Sequence, residues 1–253
     1  MPDPVSSSAL AALRRQVESL EGQHSRTRQV LPFGVNEIDR RLAGGGLVLG
    51  ALHEVAGAGV DAAHAAAAGL FVAGIAARLS GKVLWCVTRQ DLFAPALEQA
   101  GLSPDRVIFI DAGDEKALMT CFEEGLRHGG LAAVVAEIGK LSMIASRRLQ
   151  LASEKSGTMA IALRRCHRRD IDDVFSQPTA SMTRWRIGQL PSAPLPVPGI
   201  GRPHWRLQLV RCRGGESAEF EVEACDAKGC IAFPSKVADR PAATKIARRF
   251  AAV

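Results

Sequence analysis

The chain has 253 residues, 47% of them hydrophobic and 23% charged, with a formal net charge of +6. That length and balance exclude a disordered or fibrous chain and allow one large α/β domain with a sizeable core. The moderate positive charge favours an acidic partner such as nucleic acid. The cysteines at 86, 121, 166, 212, 225 and 230 form no C-x-x-C pair, which argues against a zinc site and fits a reducing compartment. The polar N-terminus does not read as a secretory signal. The longest apolar stretch, Ala65–Ala77, is too short and too alanine-rich to cross a membrane. The expectation is a cytoplasmic protein without a membrane partner.

Taken in chain order, Ser7–Leu20 is predicted as an amphipathic helix with Leu10, Leu13, Val17 and Leu20 on one face, followed by a polar linker over 21–30. Val35–Leu42 reads as a short helix ended by Gly44-Gly45-Gly46. Ala51–Val55 is a strand, and an Ala-rich helix follows from Asp61, its expected cap, to about Leu79. Strands are predicted at Val83–Thr88, Val107–Asp111, Leu131–Ile138 and Thr158–Leu163. Helices alternate with them at Leu92–Ala100, Glu115–His128 and Leu141–Ser153. Short apolar runs separated by amphipathic helices predict a mainly parallel sheet covered on both faces. Beyond 163 the character changes. Arg184–Ile187, Trp205–Arg211 and Phe220–Ala224 alternate as antiparallel strands do, with a turn at Gly214–Ser217 and a Pro-rich irregular loop over 191–203. The domain reading is an N-terminal helix and linker at 1–30, a core at 31–233 and a basic tail at 234–253.

The most telling segment is Gly57-Ala58-Gly59-Val60-Asp61-Ala62-Ala63-His64. It stands between strand and helix, where a phosphate loop of the form G-x-x-x-x-G-K-[ST] belongs. Counting from Gly57, the second Gly falls on Ala62, the Lys on Ala63 and the hydroxyl residue on His64. Counting from Gly59 supplies neither group. An ammonium about 4 Å from a phosphate contributes about 4 kcal/mol at an effective dielectric of 20, so its loss together with the Mg²⁺ ligand ends efficient hydrolysis. Asp61 would repel a phosphate, and the two glycines read as a structural turn. His64 reads as a packed or capping residue, and Asp91 and Glu98 as ordinary helix charges. The densest basic run, Arg164-Arg165-Cys166-His167-Arg168-Arg169, follows a predicted strand. Arg164, Arg165, Arg168 and Arg169 are candidate contacts to DNA phosphates, or a solvated loop paired with Asp170, Asp172 and Asp173.

The lead-in Leu31-Pro32-Phe33-Gly34-Val35-Asn36-Glu37-Ile38-Asp39, then Gly44–Val55, resembles the approach to the phosphate loop in RecA-type recombinases. Ser142–Ser153 followed by Gly157–Arg164, and Thr183–Ile187, extend the likeness over most of the chain. More narrowly, with Val237-Ala238-Asp239-Arg240-Pro241, the chain resembles the ImuA family of the damage-inducible mutagenesis cassette. The resemblance implies a RecA-like P-loop NTPase fold with antiparallel C-terminal strands. It implies an accessory role in SOS-induced error-prone translesion synthesis, with an ImuB-like polymerase-related protein, an error-prone replicative-type DNA polymerase and RecA as partners, and single-stranded DNA as a further one. It places the catalytic glutamate position at Gln90, which cannot serve as a base, and leaves Glu137 as the one carboxylate near the metal-binding position. The expectation is therefore no ATPase activity, no cofactor and no metal. Two rivals fit the same residues: a SulA-type cell-division inhibitor, and a weak or atypical DNA-dependent ATPase.

Overall fold

The computed structural model describes residues 29–59, 62–165, 175–192, 199 and 201–234. The predicted N-terminal helix, Asp61, residues 166–169 and the tail from Ser235 lie outside them. The chain enters as β1 (Val30–Leu31), which pairs antiparallel with β2 (Leu47–Val48), a small ladder the sequence did not announce. Between them lies α1 (Asn36–Asp39). The Asp39 carboxylate accepts the backbone N–H groups of Phe33, Gly34 and Val35 at 2.7, 2.9 and 3.2 Å. One side chain thus closes the turn ahead of the helix and satisfies donors that would otherwise be stranded.

The rest alternates as its periodicity predicts. In order come β3 (Leu52–Gly57), α2 (Ala62–Ala77), β4 (Val83–Val87), α3 (Ala94–Gln99), β5 (Val107–Asp111), α4 (Glu115–His128), β6 (Ala133–Ile138), α5 (Met143–Ser156) and β7 (Met159–Arg164). Then follow β8 (Thr183–Leu190), β9 (His204–Cys212) and β10 (Ala218–Glu223). Local chemistry ends the helices. Asp114 and Ser142 cap α4 and α5 through the N–H groups of Ala117 and Ala145. Gly129 and Gly157 close them at φ +71° and +78°.

The large sheet has the order β10-β9-β8-β3-β7-β6-β4-β5. Its strands from β8 to β5 are parallel, and β9 and β10 run antiparallel beyond β8. This corrects the prediction for Arg184–Ile187. That strand is antiparallel only to β9, and on its other side it pairs parallel with β3, with Arg184 opposite Glu54. Its alternation gave no hint of the parallel side, because alternation reports burial and not strand direction.

Two cores cover the sheet. On one face α2 packs on Trp85, Trp185 and Trp205. Phe71 of α2 lies 5.7 Å from Trp185 and 5.8 Å from Phe33 between ring centres, which anchors the lead-in to the sheet. On the other face Leu118, Phe122 and Leu126 of α4, with Leu149 of α5, cover Leu84, Val134 and Ala160. Gly74 of α2 has a packing reason. A Cβ at Gly74 would lie 2.2 Å from Cys225 Sγ, so the segment after β10 closes directly onto the helix backbone.

Candidate functional site

The site lies where the carboxyl ends of β3, β6 and β7 meet the start of α2, the place where open α/β sheets bind ligands. A cleft of about 800 Å³ opens there, with Gly59, Ala66, Thr88, Asp91, Glu137 and Arg165 among its walls. The turn from β3 into α2 is tight. A Cβ on Gly57 would lie 2.9 Å from the His64 carbonyl oxygen, so the strand end requires glycine for close approach. A Cβ on Gly59 would lie 2.3 Å from His64 Cδ2, because the imidazole packs on that glycine. His64 Nδ1 accepts the Gln189 N–H at 3.0 Å and so ties the first turn of α2 to the end of β8. Ala62 and Ala63 are exposed beside it. The turn therefore carries the methyl groups of Ala62 and Ala63 and the imidazole of His64.

Gln90 and Glu137, which the resemblance singled out, are both engaged by neighbouring side chains. Gln90 donates to Asp111 at the end of β5 at 2.9 Å, and its neighbours Arg89 and Asp91 line the cleft in its stead. That hydrogen bond, followed by one from the Gly113 N–H, holds the Asp111 carboxyl below its ordinary pKa. Glu137, 4% exposed at the end of β6, accepts from Trp85 Nε1 at 2.9 Å and from Arg165 Nε at 2.6 Å. Arg165 also meets Asp91 at 2.6 Å. Burial works against the Arg165 charge, but Glu137 and then Asp91 outweigh it, and the guanidinium pKa ends above its ordinary value. Asp91 thus lies in the loop before α3 as an ion-pair partner, not on a helix as predicted.

Arg164 requires a larger correction. The sequence pattern puts it on an exposed loop, yet it ends β7 and is 8% exposed. Its guanidinium donates to Glu54 at 3.0 Å and to the Gly139 carbonyl at 2.8 Å. Glu54, fully buried in β3, also accepts from Arg184 at 3.2 Å, from Ser181 at 2.8 Å and from Thr179. One carboxylate between two guanidiniums and two hydroxyls satisfies the condition under which a buried charge is tolerated. Arg184 further donates to the Phe175 and Gln177 carbonyls, at 3.2 and 2.7 Å. The residues on either side of 166–174 are thus fixed, Arg165 by Glu137 and Asp91, and Phe175 and Gln177 by Arg184. The buried cluster had a visible signal in the sequence: charges inside the otherwise apolar strands around Glu54, Arg164 and Arg184. Nothing local said that they meet.

With this geometry in view, the class is clear. The solved RadB recombinase superposes on 79% of this chain and 98% of its own at a TM-score of 0.56 and 20% identity, so the fold is that of the RecA-like recombinases. No protein-family model matches the chain. Protein ImuA of Caulobacter vibrioides strain NA1000 / CB15N is 41% identical over 236 residues, which is 87% of this chain and 96% of that protein. Protein ImuA of Caulobacter vibrioides strain ATCC 19089 / CIP 103742 / CB 15 matches to the same extent. The chain belongs to the ImuA family.

Proposed function

We propose that this protein is a RecA-like accessory factor of SOS-induced error-prone translesion synthesis that acts by binding and does not hydrolyse ATP. The observation that carries this reading is the β3–α2 turn, where Ala63 supplies no ammonium and the His64 ring is spent on Gly59 and Gln189. Gln90 and Glu137, each already engaged by a neighbouring side chain, support it. Identity of 41% along nearly the whole of an ImuA protein favours the mutagenesis cassette over the SulA-type alternative. The partners in this reading are the ImuB-like polymerase-related protein, the error-prone replicative-type polymerase and RecA, in the cytoplasm. Arg168 and Arg169 would meet single-stranded DNA, and segments 1–30 and 234–253 would serve as partner elements flanking the 31–233 core.

The test is nucleotide binding and phosphate release by the purified full chain, with and without single-stranded DNA. Background release under both conditions is expected. A DNA-stimulated rate that disappears on Gln90→Ala would overturn the reading in favour of an atypical ATPase. Copurification with the polymerase-related protein tests the binding half independently.

A further inference from the structure

The buried side of helix α5 is unusually polar. Its buried side presents Ser146, Gln150 and Ser153 beside Leu149. Each polar group satisfies backbone left over by the sheet. Ser146 Oγ accepts the Ala180 N–H at 3.0 Å, Gln150 Oε1 accepts the Leu52 N–H at 2.8 Å, and Ser153 Oγ donates to the Thr158 carbonyl. The outer side carries Ile144 and Leu151, 76% and 64% exposed. A helix that packs inward through hydroxyls and an amide gains nothing in folding from large apolar groups facing water.

These two residues form a patch with their neighbours. Seven positions apart, they lie within about 20° of each other around the helix and about 10 Å apart along it. Arg147, Arg148 and Lys155, all exposed, fall in the same arc of roughly 100°. Arg148 is held by Glu123 of α4, and Glu154 on the shoulder accepts from Gln150. Among the described residues, Arg147 and Lys155 have no ion-pair partner.

We propose that this face of α5 docks an acidic amphipathic helix of another protein. Apolar side chains of that helix close over Ile144 and Leu151, and its carboxylates meet Arg147 and Lys155. A nucleic-acid backbone would engage the two unpaired cations but leave both apolar groups in water, so the mixed character of the patch selects a protein helix. The inference is independent of the nucleotide turn, because α5 covers the sheet face opposite the one on which α2 packs.

The probe is a fluorescein-labelled synthetic helix of about 18 residues with Leu at i, i+4, i+7 and i+11 and Glu on the flanks. Anisotropy is read with the full chain at low and physiological salt. A Lys-flanked copy of the helix and an oligothymidylate are the comparisons. The Glu helix is expected to bind saturably and more weakly as salt rises. Ile144→Ser and Leu151→Ser should each weaken it roughly tenfold. Arg147→Glu and Lys155→Glu should weaken it roughly threefold to tenfold. All four side chains are exposed, so circular dichroism and thermal unfolding should not change. Absence of saturation by the Glu helix, or equal binding of the Lys helix, overturns the proposal. So does oligothymidylate binding that depends on Arg147 and Lys155 while the serine variants have no effect, which would make the face a nucleic-acid surface.

Discussion

Arg165 Nε donates to the Glu137 carboxylate at 2.6 Å, across the mouth of the cleft. Glu137 is thereby closed by a cation just beyond the adjacent strand β7, and the same cation reaches Asp91 on the opposite wall. The cleft is held by its own side chains, and this relationship sets the first prediction. Arg165→Ala leaves Glu137 buried with only the Trp85 indole as donor. It should cost about 2 kcal/mol, because a buried carboxylate loses its partner. Urea denaturation measures it, and a Glu137→Gln/Arg165→Ala double variant should recover part of the loss.

Glu54 and Arg164 should be more costly. The carboxylate is fully buried, and its partners come from both neighbouring strands. Glu54→Ala or Arg164→Ala should destabilise by about 3–5 kcal/mol. Arg168→Ala with Arg169→Ala should leave the unfolding midpoint unchanged while weakening single-stranded DNA binding, with a salt slope smaller by roughly 0.7 for each phosphate no longer neutralised. Weaker DNA binding by Arg164→Ala at unchanged stability would contradict the buried assignment.

His53 makes stability depend on pH. Its ring is buried between Thr183 Oγ1 at 2.8 Å and the Val48 carbonyl at 2.9 Å. Burial lowers its pKa from 6.5 to about 4, and the bond to Val48 opposes this only in part. Above pH 6.5 the ring is neutral both folded and unfolded. Below it, the unfolded chain takes up a proton that the folded chain refuses. Stability therefore falls as pH drops from 6.5 to 4, by up to about 3 kcal/mol. Urea titrations at pH 7 and pH 4.5 should show the gap between wild type and His53→Gln narrowing at the lower pH, because the glutamine does not titrate.

The nucleotide turn can be rebuilt. Ala62→Gly, Ala63→Lys and His64→Thr together restore the missing groups on a loop that already runs from strand to helix. This triple variant should bind a fluorescent ATP analogue more tightly than the natural chain, measured by fluorescence titration of both. It should not hydrolyse ATP, because Gln90 and Glu137 are unchanged. Gly57→Ala should instead destabilise by about 1–3 kcal/mol, since its methyl group meets the His64 carbonyl.

Much of this protein is local and therefore legible in its sequence. The alternation of apolar strands with helices from Val83 to Leu163 is enough to predict the parallel sheet. The caps at Asp114 and Ser142 bound helices by chemistry that acts within one turn. The absence of a lysine from residues 57–66 is read directly off the sequence. What the tertiary structure decided is which distant groups meet. Glu54 finds Arg164 and Arg184 at separations of 110 and 130 residues, and that pairing turns an arginine predicted on a loop into the buried end of a strand. The parallel pairing of β8 with β3 is of the same kind, since a strand's pattern records which side is buried and not which way its neighbour runs. Helix α5 buries three polar side chains beside Leu149 because the hydroxyls of Ser146 and Ser153 and the amide of Gln150 serve backbone groups outside the helix. Periodicity is set by neighbours in the chain, whereas the pairing of a buried charge or a leftover N–H is set by neighbours in space.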